Sequence, residues 1–157
     1  MKIITLLLFF AVNFSAGQKC TYIINDSIQI QTNEYLAKYI NNTVYELDRY
    51  NINPSNVFKD IRVIDFQLMS DNFFGYSVLI MKTIFINVKI PYYLPSLYET
   101  VILHEIGHFI FTDSHNEKGV YILQEGGKID IESLIRHYPF YKKQFFQHLK
   151  NYFNITK

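Results

Sequence analysis

Apolar residues fall at Leu36, Tyr39, Ile40, Val44 and Leu47, the repeat of one helical face, and predict an amphipathic helix over 33–50. Ahead of it, 23–31 alternates in part between apolar and polar residues and reads as a first strand. Asn51-Ile52-Asn53-Pro54-Ser55 is a loop by composition. Three further strands are expected over 61–69, 74–80 and 83–90, separated by Ser70-Asp71-Asn72 and by Met81-Lys82. Leu97 to Phe111 has no proline and is rich in Leu, Ile, Val and Phe, so it predicts a mostly buried helix. Ser96 with Glu99 has the spacing of a capping box, with Pro95 just before it. A last helix is expected over 131–152, bent at Pro139. The order is helix, several strands, helix, turn, helix, which makes the fold class α+β.

The polar residues inside the apolar helix carry the chemistry. They are His104 and Glu105, then His108 after Ile106 and Gly107. Residues four apart on a helix lie about 40° apart around the axis and about 6 Å along it, so His104 and His108 face one point. Glu105 is about 100° round from His104 and can reach a water at that point without itself binding an ion. This is the mechanical content of H-E-x-x-H on a helix. Burying such groups is costly unless each has a partner, and a metal ion is the obvious one. The bland alternative is a helix with two solvated histidines.

After Phe111 the chain becomes Thr112-Asp113-Ser114-His115-Asn116, a turn-forming run that would end the helix and return His115 towards the ion. Three imidazoles would leave the fourth tetrahedral position of Zn²⁺ open, as in catalytic rather than structural sites. Asp113, Glu117, Glu125 and Glu132 are competing third ligands, and Glu132 lies where a thermolysin-like site would use an acidic one.

The motif resembles that of the metzincin metallopeptidases, H-E-x-x-H-x-x-G-x-x-H. Here His115 comes eleven residues after His104 rather than ten, and Phe111 stands where the family has its turn glycine. The sequence also looks like a group of small exported bacterial metzincin-like proteins with this longer spacing. The family's methionine turn has its nearest match in Tyr121-Ile122-Leu123-Gln124, with Leu123 at the Met position. The resemblance implies a mixed twisted sheet with an N-terminal helix, a zinc-binding active-site helix and a C-terminal helix. It also implies that the last strand before the zinc helix, Thr83 to Ile90, borders the cleft and pairs with an extended peptide.

Composition narrows the setting. Met1-Lys2, an apolar run to Phe14 and Ser15-Ala16-Gly17 read as a signal peptide over 1–17, leaving 18–157 as one zinc metallopeptidase-like domain, secreted or periplasmic. The run is short for a bilayer span, so no stable membrane insertion is expected after cleavage. The 49% hydrophobic and 17% aromatic content argue for a packed globule. A net charge of +1 without a basic stripe gives no reason to expect nucleic acid as a partner. One cysteine, Cys20, allows no internal disulfide and is expected to precede the folded core. Lys19 before it is wrong for lipid attachment. Asn25, Asn41 and Asn154 begin glycosylation-type triplets, which are common in an Asn-rich chain and carry no weight.

The aromatic clusters Pro91-Tyr92-Tyr93 and Tyr138-Pro139-Phe140-Tyr141 are expected as core or partly buried surface, Lys142-Lys143 as a solvated helix face, and His137 and His148 as exposed or capping residues. The function expected is that of an exported monomeric zinc metalloendopeptidase acting on a peptide or protein substrate, with His104, His108 and His115 as ligands and Glu105 as general base. A non-catalytic zinc-binding or interaction module, and a thermolysin-like peptidase using Glu132, are the alternatives.

Overall fold

The structure, a computed structural model, describes residues 18–71, 73–111, 122 and 131–155. The segment 1–17 expected as a signal peptide, and His115, Asp113, Glu117, Leu123 and Glu125, lie outside the described residues.

The elements are β1 (Lys19–Ile24), β2 (Ile28–Asn33), α1 (Glu34–Arg49), α2 (Pro54–Phe58), β3 (Val63–Gln67), β4 (Gly75–Val78), β5 (Thr83–Asn87), α3 (Pro95–Ile110) and α4 (Ile131–Ile155). They form an α+β fold around a five-stranded mixed sheet in the order β1-β2-β3-β5-β4. The inner strands β2, β3 and β5 run parallel, and β1 and β4 flank them antiparallel.

The single first strand expected over 23–31 is in fact a hairpin, with Lys19 opposite Asn33 and Ile24 opposite Ile28. Asn25 and Asp26 turn the chain with φ of 49° and 56°. Asn and Asp tolerate that left-handed region better than other side-chain-bearing residues. Cys20 therefore belongs to the sheet, opposite Thr32, and does not precede the fold.

Helix α1 starts where Asn33 Oδ1 accepts the Tyr35 amide at 2.8 Å. Its buried stripe is Leu36, Tyr39, Ile40, Thr43 and Leu47. Val44 packs partly buried against the core, and Thr43 is buried beside it, its hydroxyl donating to the Tyr39 carbonyl at 2.9 Å and so needing no water. On the sheet, Ile30, Ile64, Ile84 and Ile86 are fully buried. Helix α3 packs on β4 and β5 and touches α1, α2 and α4, which makes it the centre of the core.

The start of α3 differs from expectation. Pro95 occupies its first turn, Leu94 is the cap residue, and no side chain caps it. Proline suits that position because its missing N–H would have no helical partner there. Ser96 is thereby carried inside the helix. Glu99 does not reach back to form a capping box. It is buried and takes Lys142 Nζ at 2.9 Å, and the same ammonium lies 3.3 Å from Glu46. Lys142 is thus an interhelical tie rather than a solvated residue, and it joins α4 to α3 and α1.

At its other end α3 gives way to Phe111, which is extended at φ −106° and ψ 131° and buried against His148 and Tyr152, each ring centroid 5.0 Å away. No left-handed glycine is needed to leave the helix there. His148 is accordingly half-buried, whereas His137 is exposed. Tyr92, Tyr93 and Phe140 are exposed, contrary to a core role. Among the described residues no helix is long and apolar enough to cross a membrane.

The strand expected at the sheet edge, Thr83 to Ile90, does not lie there. β5 lies between β3 and β4, and β4 is the edge. Strand order depends on long-range pairing, which the local apolar pattern does not encode.

Candidate metal centre

Helix α3 brings His104, Glu105 and His108 together, with one ligand atom from each within 4.8 Å of the others. The two imidazoles stand 4.9 Å apart between centroids and are inclined at 82°. Both are half-buried, while Glu105 is buried beneath them.

His104 is oriented from outside the helix. Its Nδ1 lies 2.7 Å from the carbonyl oxygen of Ile122. A carbonyl only accepts, so Nδ1–H donates and the lone pair is left on Nε2. Metal-ligating histidines are commonly fixed in this way, by a hydrogen bond from the ring nitrogen that does not bind. The donor set, and this arrangement of it, fit a divalent metal ion.

Glu105 is held by the edge strand. Ser77 Oγ, on β4, is 2.6 Å from Glu105 Oε2 and 3.1 Å from the Glu105 carbonyl oxygen. A hydroxyl has one proton, and the shorter, charge-assisted contact to the carboxylate is the stronger use of it. Burial pushes the Glu105 carboxyl up to about 7, and the Ser77 hydrogen bond opposes this in part.

Gly75 permits the close approach of β4 to α3. A Cβ there would stand 2.6 Å from Val101 Cγ1 and 2.9 Å from the Phe85 carbonyl oxygen, and 3.5 Å from Glu105 Cγ. Gly75, Ser77 and the Ile122 carbonyl are site groups that sequence reasoning missed. The glycine alone left a trace, since glycine in a strand often marks close backbone approach.

Glu132 is exposed in the first turn of α4 and is not part of the His104–Glu105–His108 cluster. Cys20, on the far edge strand, is also outside it. The chain matches no known protein family, no curated protein and no solved structure.

Proposed function

We propose that the protein is an exported, metzincin-like zinc metallopeptidase. The observation that carries this reading is the convergence of His104 and His108 over a buried Glu105 that lies against the edge strand of the sheet. A hydrolytic metal site needs a proton acceptor beside its imidazoles, and Glu105 supplies a carboxylate there.

His104 and His108 would hold Zn²⁺, with His115 as third ligand. When bound, the ion supplies Lewis acidity to the scissile carbonyl and to water. Glu105 accepts the proton of the attacking water and delivers it to the leaving amine. Burial suits Glu105 to both tasks, because a carboxyl raised towards neutrality gains a proton and releases it with little bias. Strand β4, whose outer edge has no partner strand among the described residues, is where an extended peptide would add by backbone hydrogen bonding. That role passes from Thr83–Ile90 to Gly75–Val78.

The test is metal analysis of the purified protein followed by a peptide-library assay with and without chelator. One equivalent of zinc with chelator-sensitive cleavage is expected, and Glu105→Gln should keep the zinc and lose the cleavage. Zinc without any cleavage would leave a binding module instead.

A further inference from the structure

We propose that Ser77 is a positioning residue for Glu105, so that the strand offered to the substrate also sets the rotamer of the general base. The inference rests on the peptidase reading above. Its geometry stands on three features.

First, the side chains of β4 alternate across the sheet. Ser77 pairs with Ile84 and Gly75 with Ile86, and both isoleucines are fully buried on the helix-bearing face. Ser77 is therefore turned towards α3 by its register and not by chance rotation of an exposed side chain. Second, Gly75 lets β4 lie close to α3: a Cβ there would come within 2.6 Å of Val101 Cγ1. That close approach keeps the short serine hydroxyl within reach of the carboxylate. Third, the reach is asymmetric. Ser77 bonds Oε2 at 2.6 Å, and no described residue bonds Oε1. One carboxylate oxygen is anchored, and in this proposal the other takes the proton from water.

Ser77 keeps its own proton throughout and makes no bond to substrate. It narrows the orientations open to Glu105, and misplacement of a base by even a small distance slows proton transfer. Because Ser77 lies on β4, a peptide pairing with the outer edge of that strand would stiffen the same segment that fixes the base. Substrate docking and base alignment then share one strand.

The test uses the full chain carrying Ser77→Ala, Ser77→Val or Ser77→Thr. In the zinc-loaded protein, Ser77→Ala and Ser77→Val should lower kcat by about tenfold to a hundredfold, the usual effect of removing a supporting contact. KM and zinc affinity should stay within about twofold, and Ser77→Thr, which restores the hydroxyl, should recover most of the rate. A merely structural serine would instead move KM, zinc affinity and kcat together, and that result would overturn the proposal.

A second readout does not depend on turnover. In the metal-free protein at about pH 9, where carboxylates are ionised, the infrared band of Glu105 is identified as the one lost in Glu105→Gln. It should shift in Ser77→Ala and Ser77→Val and return to its place in Ser77→Thr. An unmoved band in Ser77→Ala sinks the Ser77 proposal even if peptides are cleaved. A shifted band with no cleavage by the parent protein sinks the peptidase reading and leaves the Ser77–Glu105 contact standing.

Discussion

Ile122 presents its carbonyl oxygen to His104 Nδ1 at 2.7 Å, and so a residue eighteen positions further along the chain decides which nitrogen of that imidazole carries the proton. The metal-free protein should therefore show His104 as the Nδ1–H tautomer in long-range ¹H–¹⁵N spectra. An Nε2–H tautomer would contradict the arrangement.

Removing a ligand should be more damaging than removing a supporting contact. His104→Ala and His108→Ala are each expected to lower zinc affinity by more than about a hundredfold, the upper end of what second-layer changes cost. His115→Ala should weaken zinc similarly if that residue is the third ligand, and Glu132→Ala should leave it unchanged. Competition with a chromophoric chelator measures all four. Full zinc affinity in His115→Ala with loss in Glu132→Ala would favour the thermolysin-like arrangement.

Glu105 gives the metal-free protein a pH dependence of definite sign. Its folded pKa of about 7 lies above the ordinary 4.5 because burial disfavours the charge. The folded state therefore holds the proton more tightly than the unfolded state between those values. Stability should fall as pH rises from about 4.5 to about 7 and then level off, by an amount on the order of 3 kcal/mol. Glu105→Gln, which cannot ionise, should flatten this part of the profile. Urea unfolding across the range, in chelator, measures it. Equal slopes for both proteins would show that Glu105 does not ionise against its surroundings.

Gly75→Ala should destabilise the fold by about 1–3 kcal/mol, the range for forcing extra volume into a packed site. One of the atoms in the way is the Phe85 carbonyl oxygen, which is backbone and cannot rotate aside as a side chain would. The strand must shift against both β5 and Val101 of α3, so the variant should also change the Ser77-dependent part of the Glu105 infrared band. Thermal unfolding and that band together check it.

Lys142 offers a test remote from the metal centre. Its ammonium serves both Glu99 and Glu46, and the three side chains are 19%, 9% and 15% exposed. Lys142→Met would leave Glu46 with Arg49 but take the cation from the buried Glu99, at a cost of about 2 kcal/mol after allowing for partial exposure. Adding Glu99→Gln to that variant should recover part of the loss. Denaturant midpoints of the single and double variants decide the matter.

Much of the fold could be read from local patterns. The stripe of α1 and the apolar run of α3 are local signals, and the four-residue spacing of His104 and His108 converts directly into a shared direction on a helix. What escaped depends on partners distant in sequence or on competition between signals. Ser77 and Glu105 are twenty-eight positions apart, and only the sheet order brings them together. Asn25 and Asp26 were a turn signal hidden inside a stretch that otherwise alternates like one strand. The Ser96–Glu99 spacing suggested a cap, but Pro95 moved the helix start upstream and Lys142 captured the glutamate.

One side chain at the end of β5 ties down the chain ahead of β4. Asn87 Nδ2 donates to the carbonyls of Ser70 at 3.1 Å and Phe73 at 2.6 Å, and its Oδ1 accepts the Lys89 amide at 3.0 Å. Beyond that clamp, β4 is four residues long and, among the described residues, pairs with one strand, β5. Short edge segments of this kind open without global unfolding, and amide exchange detects them as the least protected part of a sheet. Each such opening would lift Ser77 off Glu105 and admit solvent to the carboxylate, so the lifetime of the Ser77–Glu105 contact is bounded by how long this strand stays zipped.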